Sequence, residues 1–300
     1  MVGLCALWGL QQVVLKATAQ DFAPVLQIAL RSGIAAVLVI GLMRWRGEPM
    51  PWAESWRPGL AAGALFALEY LFVGLGLRWT SAAHMSVLLY TAPIWAALGL
   101  HLWVPAERLA PLQWAGVALA FAGIVVVFGV RAEPLTLGAP GMLWGDALGL
   151  AAGIAWGATT VVIRTSRLAH LPATPTLLYQ LLMAFALLTP AAWLMGQAIL
   201  RPSAAVWASL AFHAVVVSFA SFLVWFWLLR HYLASRLGVL SFLTPLFGMG
   251  LGAWLLQEPL QPSFVVGAAL VLAGALLVNA HGLLQPWLRR RAAGSRTAGG

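Results

Sequence analysis

Long apolar segments recur along the whole chain, and they limit what it can fold into more than any other feature. Each approaches or exceeds the roughly 20 residues that an α-helix needs to cross a hydrocarbon core of about 30 Å. There are ten of them, at residues 1–19, 24–44, 58–78, 81–104, 112–130, 142–164, 175–195, 204–229, 236–257 and 262–282. The sequence therefore predicts an all-α membrane protein with ten transmembrane helices.

The composition indicates that lipid is the main solvent of this surface. Hydrophobic residues make up 62% of the 300 residues and charged residues only 8%, whereas a soluble domain carries roughly 25% charged residues. The connections between the apolar segments are short, which leaves no room for an inserted soluble domain. Any binding site is therefore expected inside the helix bundle or at its mouths.

The positive charge of the chain indicates its orientation rather than a nucleic-acid partner. The net charge is +9, but the basic residues form short, separated groups, which argues against nucleic-acid binding. With the N-terminus in the cytoplasm, twelve of the 17 Lys and Arg residues lie on the cytoplasmic side. The positive-inside rule then predicts that both termini are cytoplasmic, with residues 285–300 as a basic tail.

Several classes of chemistry lack the residues that they need. Cys5 is the only cysteine, so neither an intrachain disulfide nor a cysteine metal site can form. The six histidines show no HExxH spacing, and Lys16 is the only lysine, which excludes a P-loop. We therefore expect no cofactor and no metal. An intramembrane enzyme is disfavoured because the spans carry no catalytic set, and a channel because the helices are too apolar for a wide pore.

The chain repeats itself after about 150 residues. Ala6-Leu7-Trp8-Gly9 matches Ile154-Ala155-Trp156-Gly157, and an ordered series of further matches follows with offsets between 148 and 153. This series pairs Lys16 with Arg164, Pro93 with Pro245, Glu107 with Glu258 and Gly116 with Gly267. The repeat unit holds five helices, an odd number, so the second copy must enter the membrane from the opposite side. We expect a first repeat at residues 1–133 and a second, inverted repeat at residues 138–284.

This layout resembles the drug/metabolite transporter superfamily, in its EamA-like branch. The resemblance is carried by the five-plus-five helices, the Trp-Gly pair early in each half, the prolines of helices 4 and 9, and the acids that follow them. Within the branch, the chain is most similar to bacterial aromatic amino acid and drug exporters. The resemblance implies a bacterial inner-membrane protein with a central cavity between its halves, which exports amino acids or related metabolites without ATP.

Candidate substrate-binding residues lie in the middle of the predicted helices and combine polar with aromatic side chains. Amide, hydroxyl and indole groups suit the polar end and the side chain of an amino-acid-like ligand, but they could equally form hydrogen bonds between helices. The candidates are Trp8, Gln11, Gln12, Glu69, Tyr90, Trp95, Trp156, Thr159, Thr160, Ser221 and Phe242.

Charged and titratable residues within the spans are a second set of candidates. Glu69 is the one carboxylate near the middle of a span, where an ionised group costs at least about 2.5 kcal/mol. It could attract a substrate ammonium, take up a proton or form a structural pair. His84 and His213 are the most deeply placed histidines, and each could couple protons or serve as a hydrogen-bonded structural residue. Lys16 and Arg31 lie in the outer thirds of helices 1 and 2, where either could meet a carboxylate. We favour side chains that reach the lipid headgroups.

Pro93 and Pro245 are predicted to lie in the middle of helices 4 and 9. Each would delete a backbone hydrogen bond and bend its helix, and Tyr90 and Phe242 place an aromatic ring three residues before each bend. A symmetric pair of bends beside a cavity is typical of gating hinges, although a static role in shape is also open.

The sequence thus favours a secondary transporter that exports amino acids, neutral or aromatic and with broad specificity, or related small metabolites by alternating access. Protons are a second partner that the residues allow. The alternative is an efflux carrier for drugs or lipophilic cations, because an aromatic site with few charges also suits such compounds.

The predicted topology can be tested with a reporter fused to the C-terminus. Because the positive-inside rule places both chain ends in the cytoplasm, we expect a green fluorescent protein fusion to fluoresce and an alkaline phosphatase fusion to be inactive. The opposite pattern would contradict the topology.

Overall fold

The computed structural model describes residues 1–77, 79, 85, 88–129, 142–256, 263 and 265–278. Two short 3₁₀ helices, at Pro105–Glu107 and Arg167–His170, lie in connections. The α-helices are α1 (Val2–Thr18), α2 (Pro24–Arg46), α3 (Trp52–Gly76), α4 (Ala92–Trp103), α5 (Pro111–Gly129), α6 (Met142–Thr165), α7 (Ala173–Leu194), α8 (Ala204–His231), α9 (Ala234–Leu240), α10 (Leu243–Leu256) and α11 (Val265–Val278).

The described part of the chain is helical, and six of its helical stretches are long and apolar enough to cross a membrane. Shorter apolar helices occur at Val2–Leu15, Pro111–Val126 and Val265–Val278. Its extended structure amounts to one isolated bridge between Phe22 and Leu200. The prediction of a helical membrane protein is confirmed. The count of ten spans stays a prediction, since the spans at 81–104 and 262–282 run into residues outside the described ranges.

Helices from the first half of the chain pack against helices from the second half. α1 packs on α10, α4 on α6, and α2 on α7, while α3 contacts both α6 and α7. Glycines allow the closest approaches: a Cβ added to Gly9 of α1 would lie 2.6 Å from the backbone nitrogen of Gly248 in α10. Helices in lipid gain no hydrophobic free energy from packing together, so their association depends on close contact. Glycine faces permit that contact because they carry no side chain.

The connections cluster at two opposite ends of the bundle. At one end, the α1–α2 connection bonds to the α7–α8 connection through the amide of Arg201 and the carbonyl of Asp21, at 2.7 Å. At the other end, the residues around Glu107 meet the α8–α9 connection. We refer to these as the Asp21 end and the Glu107 end.

Two predicted helices are interrupted rather than bent. The chain turns at Tyr90–Thr91 before α4 begins, and at Ser241–Phe242 between α9 and α10. The interruptions are stabilised alike, because the Thr91 hydroxyl donates to the Leu88 carbonyl and the Ser241 hydroxyl to the Gly238 carbonyl, both at 2.6 Å. In each case the acceptor is the carbonyl of the residue three positions earlier, so a carbonyl near the break gains a hydrogen-bond partner.

The predicted mid-helix position of Pro93 and Pro245 is therefore wrong. Each proline lies in the first turn of a helix, α4 and α10 respectively. A proline has no N–H group, and the first-turn N–H groups of a helix lack intrahelical partners in any case, so this position costs little. A proline also cannot donate to the carbonyl four residues before it, and its ring crowds that carbonyl. For Pro93 and Pro245 these carbonyls belong to Leu89 and Ser241, which lie at the two interruptions.

The α2–α3 connection is shorter than the apolar segments predict. α2 continues to Arg46, where Gly47 ends it with φ of 65°, and α3 begins at Trp52 rather than at residue 58. An apolar segment marks only the part of a helix inside the hydrocarbon, and a helix can extend beyond it through the headgroup region. The charged first turns of α3, with Glu54 and Arg57, are such an extension.

α8 contains a segment of wider helix. Its first part, Ala204–Ala211, is α-helical, Phe212–Ser221 is a π-helix, and Phe222–His231 is α-helical again. π-helical turns are rare and occur frequently at functional sites. Here the segment directly precedes the part of α8 that borders the central cavity.

Candidate functional site

An internal cavity of about 140 Å³ lies between the helices. For comparison, a cavity of about 150 Å³ engineered into another protein holds a benzene molecule. Aromatic rings dominate its wall: Trp8, Phe66, Tyr70, Tyr90, Trp156, Phe222, Trp225 and Phe226. The remaining wall is formed by Gln11, Gln12, Glu69, Leu89, Thr159, Thr160, Ile163, Gln180, Leu229 and Thr244.

Helical periodicity explains how these residues converge. On an α-helix, residues at i, i+3 and i+4 share one face. α1 contributes Trp8, Gln11 and Gln12, and α6 contributes Trp156, Thr159 and Thr160 with the same spacing. α3 and α8 repeat the pattern with residues 66, 69 and 70 and with residues 222, 225, 226 and 229. Four helices thus each present one face to the cavity.

The interrupted helices supply most of the rest of the wall, to which α7 adds Gln180. Tyr90 lies at the first break, and Thr244 lies in the first turn of α10, just after the second. Irregular backbone at membrane depth is tolerated only where protein or a cavity surrounds it. The cavity therefore lies where the chain departs from regular helix.

Glu69 is the one acidic residue among the described residues of the wall. It is 8% exposed, and none of the residues that the structure describes forms a hydrogen bond or an ion pair with its carboxylate. The cavity therefore combines aromatic surface, amide and hydroxyl groups and a single carboxylate, a set that suits a small ligand with an apolar part and a cationic group.

Eight of the eleven candidate residues from the sequence border the cavity: Trp8, Gln11, Gln12, Glu69, Tyr90, Trp156, Thr159 and Thr160. The other three do not. The Trp95 indole donates to the Thr91 hydroxyl at 3.1 Å, and Phe242 is fully buried in an apolar cluster. Ser221 lies one residue before the cavity-facing stripe of α8, where its hydroxyl accepts a hydrogen bond of 3.0 Å from the Trp8 indole.

On α3 and α8, the depth of Trp225 within its span predicts a place on the cavity wall, whereas sequence reasoning missed Phe66, Tyr70, Phe222 and Phe226. Phe66 lies three residues before Glu69, so it had to share the face of that acid. Residues 222, 225, 226 and 229 form an apolar helical stripe that is visible in the sequence. Repeat symmetry points instead to Ser221, which lies 152 residues after Glu69 and is its counterpart in the repeat. It therefore selects a position one residue away from the stripe.

Arg31 does not reach the headgroups, so the expectation for it is wrong. Its side chain is 1% exposed and donates hydrogen bonds to Gln11 Oε1 at 3.1 Å and to the Tyr70 hydroxyl at 3.2 Å. The Tyr70 ring also lies 5.5 Å from the guanidinium. These partners hold the long side chain inside the bundle, where a polar group needs partners within the protein. The side chain of Lys16 lies outside the described structure.

His213 belongs to a buried polar cluster beside the cavity. Its Nδ1 lies 2.7 Å from the Ser209 carbonyl, and its Nε2 lies 3.2 Å from the Gln11 carbonyl. Gln27 joins the cluster through Ser209 at 2.8 Å. This histidine therefore ties α8 to α1 and α2. His84, the other histidine considered for proton coupling, lies outside the described residues.

Glu107 is the acceptor at the centre of a buried polar cluster at the Glu107 end of the bundle. Its carboxylate is 1% exposed and accepts hydrogen bonds from Arg164 at 2.7 Å, from the amides of Ala234 and Ser235 at 2.9 and 3.2 Å, and from the Ser235 hydroxyl at 2.7 Å. Arg164 also donates to the carbonyl of Leu229 at 2.7 Å. We call these five residues the Glu107 cluster.

The Glu107 cluster is adjacent to the cavity wall. Leu229 belongs to both, and Ile163 of the wall directly precedes Arg164. The carboxylate also stabilises the first amides of α9, which have no intrahelical partners. The cluster thus joins α6, α8, α9 and the α4–α5 connection next to the cavity wall.

Comparison with known proteins decides the family. The family model described as the EamA-like transporter family matches residues 1–129 and 143–280. The chain belongs to this family. The predicted family is confirmed, and the protein is an integral membrane transporter whose substrates are small molecules.

Individual relatives of this EamA-like transporter are distant but span almost the whole chain. An uncharacterized transporter, YoaV, of Bacillus subtilis is 25% identical and covers 92% of this chain and 94% of its own. A protein of Escherichia coli named a probable amino-acid metabolite efflux pump is 27% identical, with 92% of both chains covered. A relative with that name in Salmonella typhimurium is 26% identical, with 92% of this chain and 91% of its own covered.

A solved crystal structure has the same fold as this EamA-like transporter. The TM-score is 0.78 at 24% sequence identity, and the match covers 92% of this chain and 94% of the other. The arrangement of helices described above is thus shared with an experimentally determined structure.

The energetic weight of the Glu107 cluster can be measured by removing its cation. Arg164→Met leaves Glu107 buried without a positive partner, and we expect it to lower the free energy of unfolding by about 3–5 kcal/mol. The matched control is Arg167→Met, which removes an ion pair to Glu54 with side chains 73% and 60% exposed, and we expect a change of less than about 1 kcal/mol. Thermal melting of both variants in detergent provides the measurement. Equal melting temperatures for the two variants would refute a structural role of the cluster.

Proposed function

We propose that this EamA-like transporter is a secondary carrier that exports neutral or aromatic amino acids, or related small metabolites, across the bacterial inner membrane. The observation that carries the proposal is the cavity, in which four helices and two interruptions present aromatic rings, amides, hydroxyls and one carboxylate to a single internal space. Such a cavity suits amino acids, because its polar groups can bind the charged end of the substrate and its apolar surface can enclose the side chain.

The proposed substrate residues are those that border the cavity. Glu69 would attract the substrate ammonium, the amides of α1 and the hydroxyls of α6 would bind its polar groups, and the rings would enclose its side chain. The names of two relatives, probable amino-acid metabolite efflux pumps, support this substrate class. Of the three candidates away from the wall, Ser221 would act by orienting Trp8.

Transport by alternating access follows from the proposed inverted repeat of two five-helix halves, residues 1–133 and 138–284. Trp8, Gln11 and Gln12 have counterparts one repeat offset of 148 residues away, at Trp156, Thr159 and Thr160. Both sets border the cavity. The paired interruptions and the packing of α1 on α10 and of α4 on α6 also fit such a repeat. Two halves of similar packing energy can exchange conformations, so that the cavity opens to either side in turn.

The orientation completes this proposal. Both termini and the basic tail, residues 285–300, would lie in the cytoplasm, and the Glu107 end would then face the cytoplasm. Release of the Glu107 cluster would open the cavity to that side, with α4 and α10 moving about Pro93 and Pro245 as hinges. Their hydroxyl-stabilised interruptions at Thr91 and Ser241 support this, because a break in a helix absorbs dihedral changes at low cost.

The hinge role can be tested with Pro93→Ala. Alanine restores an N–H group and favours a continuous helix through the Tyr90–Thr91 turn, so we expect slower transport at an unchanged protein level. The control is Pro190→Ala, which alters an exposed proline of α7. Export by cells that carry each variant, normalised to the amount of protein in the membrane, gives the comparison. A wild-type rate for Pro93→Ala would remove Pro93 from the mechanism.

Efflux of lipophilic cations is the second candidate function. Eight aromatic residues and one carboxylate surround the cavity, and aromatic faces attract cations. Such a carrier would need no polar groups for a carboxylate, however, and the amides of α1 and the hydroxyls of α6 would then lack a substrate role.

Uptake into proteoliposomes distinguishes these candidates. The panel contains amino acids, nucleosides and cationic drugs, each measured with and without a pH gradient. We expect saturable counterflow of neutral and aromatic amino acids. Transport of the cationic drugs alone would replace the proposal by the second candidate, and a linear, unsaturable flux would indicate a channel.

Glu69 provides the sharpest single-residue test of this function. Because its carboxylate is the acidic group of the described cavity wall, Glu69→Gln should lower amino-acid counterflow at least about tenfold, as expected for a lost charge-assisted contact. It should also remove any stimulation by a pH gradient. Glu54→Gln, an exposed acid of the same helix, is the control and should leave both unchanged. Unaltered rate and pH response in Glu69→Gln would exclude it from substrate and proton binding.

A further inference from the structure

Arg31 carries a charge inside the bundle without an acidic partner. Its side chain is 1% exposed in the membrane-spanning helix α2, and no carboxylate among the described residues lies within ion-pair distance of it. Its Nε also lacks a hydrogen-bond partner. A charged side chain at membrane depth is costly and marks functional sites. None of the substrate contacts proposed for the cavity wall involves this residue.

Arg31 fixes the orientation of the Gln11 amide. A guanidinium has only hydrogen-bond donors, so the atom of Gln11 that lies 3.1 Å from it must be the oxygen. The Gln11 amino group, Nε2, then points away from Arg31. Gln11 borders the cavity, and the described residues offer no acceptor to its Nε2. The amide is therefore available as a donor on the cavity wall.

Arg31 orients the Tyr70 hydroxyl in the same way. The guanidinium donates to the hydroxyl oxygen at 3.2 Å. The hydroxyl proton therefore points away from Arg31 and is free to be donated. Tyr70 also borders the cavity, and no acceptor for this proton occurs in the described part of the protein. Two neighbouring nitrogens of one guanidinium thus orient one donor on α1 and one on α3, and the positive charge behind them strengthens both.

We propose that Gln11 and Tyr70 form a carboxylate subsite, that Arg31 is its positioning residue, and that the substrates are α-amino acids with a free carboxylate. The proposal rests on the proposed function and deepens it. Glu69 directly precedes Tyr70 and borders the same cavity, so the ammonium and the carboxylate of one amino acid would meet adjacent residues of α3. Arg31 itself does not touch the substrate.

The charges of the site favour a zwitterionic amino acid over an analogue that has only the ammonium group or only the carboxylate. When Glu69 is ionised, its charge balances that of Arg31, so a zwitterion leaves the buried site neutral, whereas an amine without a carboxylate adds a net positive charge. A site built to hydrogen-bond a substrate group also rejects analogues that lack this group, because its polar atoms are then left unpaired. The subsite would therefore select amino acids against the corresponding amines.

Binding of two matched probes tests this selection. L-Phenylalanine and 2-phenylethylamine share the ring and the ammonium and differ in the carboxylate. We expect calorimetric titration of the full-length protein in nanodiscs to give a Kd for L-phenylalanine at least about tenfold lower than for 2-phenylethylamine, the change expected for one hydrogen bond to a charged group.

Three variants assign the selection to the subsite. Tyr70→Phe removes only the hydroxyl, and Gln11→Glu keeps an oxygen toward Arg31 but replaces the donor by a second carboxylate oxygen. In both variants L-phenylalanine should bind more weakly, and 2-phenylethylamine should bind as in the wild type or more tightly. The ratio of the two Kd values should therefore approach one. Arg31→Gln should do the same. Arg201→Gln, an exposed arginine in an ion pair with Asp21, is the control and should keep the wild-type ratio.

The outcomes separate this inference from the proposed function. A purely structural role of Arg31 predicts that Gln11→Glu, which gains an ion pair, keeps the wild-type ratio, and that result would overturn the subsite alone. A wild-type protein that binds both probes equally would also overturn the subsite while leaving transport intact. Failure of the wild-type protein to bind L-phenylalanine at all would overturn the subsite and the amino-acid function together.

Discussion

The carboxylate of Glu107 connects parts of the chain that are far apart in sequence. It accepts hydrogen bonds from α6 and from the start of α9, while its arginine partner also bonds to a carbonyl of α8. Water could satisfy these groups on the surface of a soluble protein, but inside a membrane protein they must satisfy one another. The requirement explains why these helices meet at this residue. It also explains the hydroxyl bonds at the two interruptions and the partners of Arg31, since each satisfies a polar group for which lipid offers nothing.

The helical architecture could be predicted from the sequence because it depends on length and apolar composition alone. The predicted segments at 24–44 and 175–195 correspond closely to α2 and α7. The errors occur where those two properties carry no information. Nothing in hydropathy separates a bent helix from an interrupted one, so the mid-helix prediction for Pro93 and Pro245 fails. The predicted start of α3 fails for the opposite reason, because its charged first turns look like a loop although they form a helix.

The candidate site was predictable where helical spacing applied, and less so elsewhere. Trp8, Gln11 and Gln12 share a face by spacing, and one repeat offset gives their counterparts on α6. That offset fails on α8, where a π-helical segment changes the facing of the residues after it, so that Ser221 is selected although its neighbour borders the cavity. The prediction for Arg31 fails because its position along α2 favours an interfacial side chain. Its true partners belong to other helices and become neighbours only through packing.

The wide segment of α8 determines which residues of that helix border the cavity. A π-helix holds more residues in each turn than an α-helix, so the angular position of everything after Ser221 depends on how many residues the segment contains. Removing one residue between 212 and 221 would rotate the following helix by roughly 100°. Each later residue would then take the angular position of the one before it, so that Leu223 would replace Phe222 and Trp227 would replace Phe226 on the cavity wall. Length variation in this short stretch could therefore reshape the aromatic wall in one evolutionary step, without a single change of side chain.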